Sequence, residues 1–269
     1  MILRKVWVFL KRDFWTQTSY RFAFIMNFLS IFLSVSVFFF ISRLFSKSIS
    51  PYLAAYGGNY FAFVIIGIAL SGFMGTSLGV FASSISSAQS QGTLEAMLVM
   101  PTKLSEIVLF SSIWSFLFTA LNTLVYLFFG VVVFGLNLGK ANLPAAVMIL
   151  VLIISIFSGL GIISASFIMV LKRGDPISWI FGSASSIMGG TFFPISVLPD
   201  WLQKLSYLFP LFYALRAMRL ALLKGYGFAT LAPDILALGF FVVLIIPFSL
   251  WSFKYAVKRA KIDGSLGTY

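Results

Sequence analysis

Residues 141–171 read ANLPAAVMILVLIISIFSGLGIISASFIMVL, a run with no charged residue. A helix needs roughly 20 apolar residues to cross a hydrocarbon core about 30 Å thick. This stretch is long enough with residues to spare. Moving outward, the same pattern recurs. Charge-free runs also extend from Phe22 to Ser42, Ser48 to Leu94, Ile107 to Gly139, Pro176 to Pro199 and Ile235 to Phe253. Charged residues make up only 10% of the 269-residue chain and hydrophobic ones 60%, with 32 Phe. A soluble domain has no means of burying that much apolar surface, so the chain reads as an all-α, polytopic membrane protein. The predicted spans cover about 22–42, 60–84, 107–134, 143–171, 176–198 and 234–253. The whole of 1–269 is read as a single transmembrane domain.

Composition narrows the chemistry. There are no Cys and no His. Disulfides, thiol chemistry and the commonest metal ligand are therefore excluded. No span carries a charge at its middle, because every Asp and Glu falls near a predicted span end. Proton-coupled transport usually uses an intramembrane carboxylate, and acid–base catalysis needs positioned titratable groups. Both readings are disfavoured, although sodium sites built from carbonyls and hydroxyls escape this test. A sodium-coupled secondary transporter thus remains the alternative class. The net charge of +12 needs no nucleic acid, since cytoplasmic loops collect Lys and Arg.

Placing both termini in the cytoplasm puts twelve of the 19 Lys and Arg inside and seven outside. The location implied is the cell (inner or plasma) membrane. Lys11, Arg12 and Asp13 interrupt the first apolar stretch, so it is not expected to be a cleavable signal. Instead, residues 1–20 read as an amphipathic interface helix. Leu3, Val6, Trp7, Leu10 and Phe14 form the apolar stripe, with Arg4, Lys5, Lys11 and Arg12 off it. Small residues punctuate spans two to five, including the Gly75/Gly79 GxxxG pair, and are expected to let helices approach closely.

Two segments are not ordinary loops. After span two, Gln91-Gly92-Thr93-Leu94-Glu95 leads to Met97, Leu98 and Pro101. Thr93 is a helix-start residue and Pro101 a stop, and Leu94, Met97 and Leu98 make an apolar ridge beside Glu95. Such a short helix is marginal alone in water and must pack on something. Before the last span, residues 200–224 form two apolar pieces too short to cross. Asp200 and Gln203 have capping-box spacing, Pro210 separates the pieces, and Arg216 and Arg219 lie on the second. This segment reads as a helical hairpin re-entering the outer leaflet, with its arginines snorkelling to headgroups or lining an exit.

These segments carry a family resemblance. Gln91, Gly92, Thr93, Leu94, Glu95 and Pro101, followed by Phe193, Pro194, Leu198, Pro199, Leu202, Pro210 and Arg216, resemble the motifs of the ABC-2 type permeases, the membrane subunits of a class of ABC exporters. The resemblance runs over essentially the whole chain. It implies a homodimer of permeases with two separate P-loop ATPase subunits on the cytoplasmic face. It also implies that 91–101 is a coupling helix seated in the ATPase, that the N-terminal helix contacts the ATPase, and that the outer hairpin helps close the exit. ATP and magnesium would be held by that partner and no cofactor by this chain. The residues agree on this point: the nearest approach to a GxxxxGK[ST] phosphate loop is Gly135-Leu-Asn-Leu-Gly139-Lys140-Ala141, one residue short and with Ala where Ser or Thr would hold magnesium. The implied cargo is amphipathic, lipid-like or drug-like. Lipid-linked glycan is the alternative, although Tyr20-Arg21 lacks the Leu-Gly and Trp parts of the element that glycan exporters carry.

Overall fold

The structure, a computed structural model, describes residues 2–93, 104–171 and 175–262. All regular structure among them is helical. In chain order the helices are α1 (Ile2–Ser19), α2 (Arg21–Ile49), α3 (Tyr60–Ser90), α4 (Leu104–Phe128), α5 (Leu143–Leu171), α6 (Pro176–Met188), α7 (Asp200–Ser206), α8 (Pro210–Arg219) and α9 (Phe228–Ile262). Wider i→i+5 turns extend α4 over Phe129–Val133 and α8 over Leu220–Lys224.

Five helices, α2, α3, α4, α5 and α9, are long and apolar enough to cross a membrane. α3 is the centre of the bundle. Its apolar window is 72% buried, against 11% for α2, because α2, α4, α5, α6 and α8 all pack on it. α5 joins α3 to α9, and α1 lies along α4, where the Phe14 and Trp114 rings meet edge to face at 5.8 Å. The main core is formed by Ile66, Leu70 and Met74 of α3, Ile153 and Phe157 of α5, and Leu211 and Leu215 of α8. Close packing rests on small residues. A Cβ on Gly161 would stand 2.7 Å from the Leu78 carbonyl oxygen, and one on Gly159 would stand 2.6 Å from the Ile245 side chain. Helices associating in lipid gain chiefly from packing, so backbones that touch are worth more there than bulky side chains. The outer faces of the long helices are correspondingly apolar and exposed, as at Phe22, Leu124, Val147, Leu236 and Val243.

The structure divides the fifth predicted span. α6 ends at Met188, and its 13 residues cover about 20 Å, less than a hydrocarbon core. Asp175 starts α6 by accepting from the Ser178 N–H at 2.9 Å. Gly190, at φ +73, turns the chain out of the helix, and residues 189–194 run on without regular structure. Thr191 Oγ1 lies 3.0 Å from Ser71 Oγ, so α6 stops about 16 Å along α3 from its Tyr60 end. The space above this early stop is filled by α8. α7 and α8 with its extension form a pair bent by 88°.

The capping box expected at Asp200 and Gln203 does not form. Pro199 is the N-cap of α7, and no side chain caps that end. Gln203 instead donates from Nε2 to the Leu198 carbonyl at 2.8 Å. Asp200, lying inside the first turn, contributes only its charge near the helix N-terminus.

Candidate functional site

The described start of the first predicted segment, residues 91–93, and the second segment lie at opposite ends of α3. At the Ser90 end, Gln91 is the C-cap and Gly92 has φ +65. The Thr93 N–H reaches the Ala88 carbonyl at 2.9 Å and the Gly92 N–H reaches Gln89 at 3.0 Å. This pairing is the Schellman motif, which ends a helix on a left-handed residue. Gly92 is therefore needed to stop α3, and it sets the direction in which the chain leaves. Leu94, Glu95, Met97, Leu98 and Pro101 lie outside the described residues.

At the Tyr60 end, α8 carries both arginines into the bundle. Arg219 is buried, with 2% of its surface exposed. Its Nε donates to the Phe63 carbonyl at 3.1 Å, and its Nη2 donates to the Gly190 and Thr191 carbonyls, both at 3.0 Å. The guanidinium also lies 3.3 Å over the Phe63 ring. No carboxylate pairs with it among the described residues. Tyr56 stands 6.0 Å away, and burial pushes its phenol above the ordinary value, against the opposing pull of the Arg219 charge. The phenol is therefore neutral. Three carbonyl dipoles and a ring face thus hold a buried cation, an arrangement that suits the planar guanidinium and its spread of donors.

Two of the three acceptors are available because of a local chain break. Gly190 and Thr191 present free carbonyls where α6 has ended. Gly67 makes room: a Cβ there would run into the Thr191 carbonyl and stand 2.7 Å from Arg219 Nη2. Arg219 therefore ties three elements together, namely α8, the first turns of α3 and the end of α6.

Arg216 faces the other way. Its Nε donates to Asp234 Oδ1 at 2.9 Å and Oδ2 at 3.1 Å, and its Nη2 closes a further contact with Oδ1. It also lies 5.1 Å over the Phe212 ring. Asp234 is buried near the start of α9, so this ion pair fastens α8 to the last long helix. Both guanidiniums are thus engaged by partners within the chain, Arg219 by backbone carbonyls and Arg216 by Asp234. Pro210, at the first turn of α8, is itself buried, and its fixed φ suits that position. Asp200 is exposed, and Gln203 is occupied by Leu198.

Between these two ends a polar seam follows the α3–α6 contact. It runs from the Ser71 and Thr191 hydroxyls to Ser178, whose Oγ donates to the Leu78 carbonyl at 3.3 Å. Ser164 of α5 closes it by donating to Asp175. Ser77 and Ser185 are fully buried, and each has a hydroxyl oxygen without a partner among the described residues. A Cβ on Gly75 or Gly79 would meet nothing within 4 Å among the described residues, so this pair is not used for close packing there.

Sequence reasoning identified Arg216 and Arg219 but missed Asp234, Gly67 and Gly190 as their partners. Asp234 lies 18 positions from Arg216 and Phe63 lies 156 from Arg219, so no local pattern connects them. One signal was available: an acid at the start of the last apolar run, on the same predicted side as two cations that had no other acid except Asp200.

No curated protein matches this chain. A family model does: with residues 4–223 of its 269 matching the model described as ABC-2 type transporter, the chain belongs to that family.

Proposed function

We propose that this chain is the permease subunit of an ATP-driven exporter, carrying an amphipathic, lipid-like or drug-like cargo and powered by a separate ATPase. The single observation that carries the reading is family membership over residues 4–223, which makes the chain the membrane component of an ABC transport system. Its own 269 residues contain no GxxxxGK[ST] loop to cradle nucleotide phosphates, so ATP and magnesium belong to a partner polypeptide. On this reading residues 91–101 are the coupling helix. The Schellman stop at Gly92 supports it, because the motif residues then begin where the span ends. The bent α7–α8 pair acts as a re-entrant outer hairpin over the shortened α6, and α1 lies in the cytoplasmic interface. Both termini are cytoplasmic in the cell membrane. The open Gly75/Gly79 face supports a homodimer, since close approach along that face is not used among the described residues of one chain.

The test is a pull-down of the tagged protein from mild detergent extracts of its native host, followed by ATPase assay of the complex. A stoichiometric P-loop ATPase should co-purify. Leu94→Ala should weaken its binding, and Glu95→Ala should uncouple hydrolysis from transport at equal expression. A stable permease with no ATPase partner, whose transport follows a sodium gradient, would overturn the reading in favour of secondary transport.

A further inference from the structure

An apolar groove of about 240 Å³ opens on the side of the bundle. Its floor is α3, through Leu70 and Phe73, which are buried. Its walls are Leu124 and Leu127 of α4 and Val147 and Leu150 of α5. Thr123 is the one hydroxyl-bearing residue along it. The rim residues Leu124 and Val147 are 64% and 58% exposed, so the groove faces what surrounds the bundle. For these long helices that is the acyl region of a bilayer.

The position of the groove along the bundle gives its occupant a headgroup. It lies toward the end of the bundle that holds the bent pair, because its lining also includes Leu143, at the start of α5, and Leu222, near the end of the α8 extension. Just beyond these residues stand two lysines. Lys140 precedes α5 and Lys224 ends the α8 extension, and both are exposed. They are brought together by packing: a Cβ on Gly225 would stand 3.5 Å from Lys140 Cβ, and Gly225 follows Lys224 directly. The Asn142 side chain fixes this junction by donating to the Tyr226 carbonyl at 3.0 Å. Neither lysine has an ion-pair partner among the described residues. The nearest acid along the chain in this region, Asp234, is held by Arg216.

We infer that this groove seats one acyl chain of an anionic phospholipid of the surrounding bilayer, with the lipid phosphate held between Lys140 and Lys224. The arrangement matches both halves of such a molecule. A continuous apolar trough replaces lipid–lipid contacts with shaped packing, and two lysines with no ion-pair partner among the described residues stand beyond its Leu143 and Leu222 end. A lysine near an anionic headgroup favours it by about fivefold, so the pair selects anionic over neutral lipid. The bound lipid fills the space between α4 and α5 over α3 and braces the junction of the α4–α5 loop with the hairpin segment. The inference rests on the membrane-spanning reading alone and not on the identity of the cargo.

The test reconstitutes the full chain in nanodiscs holding equal parts phosphatidylglycerol and phosphatidylcholine, then counts retained lipids by native mass spectrometry. One phosphatidylglycerol per chain should be retained, preferred over phosphatidylcholine by at least fivefold. The K140Q/K224Q double variant should bring the two lipids to parity. L124W, placed at the exposed rim, should lower retention of both, with thermal unfolding confirming that each variant is folded. Equal retention of the two lipids by the unaltered chain overturns the proposal, as does a preference that survives the double lysine variant. Unchanged retention in L124W overturns the groove as the acyl seat. Disulfide pairing of two Leu124→Cys chains in the bilayer would show that a second copy occupies it instead, and would equally overturn it.

Discussion

Gly67→Ala should destabilise this protein, while Gly75→Ala in the same helix should not. The two glycines lie on one helix, α3, yet meet different surroundings. At Gly67 the added methyl would strike the Thr191 carbonyl oxygen, come within 3.2 Å of its carbon and stand 2.7 Å from Arg219 Nη2. None of these atoms can swing aside cheaply. The carbonyl is backbone, and the guanidinium is fixed by three acceptors. Relief requires α3 to move from the end of α6 or Arg219 to release its carbonyls, and overpacking of this kind costs about 1–3 kcal/mol. At Gly75 a methyl meets nothing within 4 Å and gains helix propensity worth up to about 1 kcal/mol. The two variants should therefore move stability in opposite directions. At roughly 2–4 °C per kcal/mol for a chain of this size, Gly67→Ala should lower Tm by about 2–12 °C. Thermal unfolding of the purified monomeric protein in one detergent, where the Gly75/Gly79 face meets no second copy, followed by helical circular dichroism, reads the difference. A Gly67→Ala protein as stable as Gly75→Ala would refute the reasoning, because it would mean that α3, Thr191 and Arg219 are not in close contact.

Asp234→Asn keeps the shape of the side chain but removes the charge facing Arg216. Since Arg216 is 35% exposed and can recruit water, the loss should be about 2 kcal/mol, read as a fall in Tm, with no loss at all counting against the pair. Gly92→Val should cost about 1–2 kcal/mol through its left-handed backbone alone, since no atom lies within 4 Å of the site. Gly92→Asn should cost less, and equal stability of the two variants would argue against the Schellman end. A single Cys replacing the exposed Lys204 should react with an impermeant thiol reagent added from outside intact cells, whereas protection there would overturn the assignment of α7 to the outer side.

Much of this protein was legible in its sequence. The long charge-free runs identified α2, α3, α4, α5 and α9, because hydrocarbon thickness sets a length that no neighbour can alter. Pro210 marked the break between α7 and α8 through a rule that acts within a few residues, whereas the helix stop at Gly92 and the cap at Asp175 were not read. The same local rules failed where tertiary contacts compete. The run at 176–198 is apolar enough to look like a span, yet it stops at Met188, because Gly189 and Gly190 allow a break and α8 occupies the space above it. The Asp200–Gln203 spacing promised a capping box, but Gln203 took the Leu198 carbonyl instead. The arginines show the division most clearly. Sequence placed Arg216 and Arg219 on a short apolar helix and gave each a route to the headgroups or to an exit. Only the folded chain supplies Asp234 to the one and the Phe63, Gly190 and Thr191 carbonyls to the other. Hydrophobic length is a property of each segment by itself, so it survives in one dimension. The partner of a buried charge is set by which carbonyls and carboxylates stand beside it, and that is decided only when helices far apart in the chain come together.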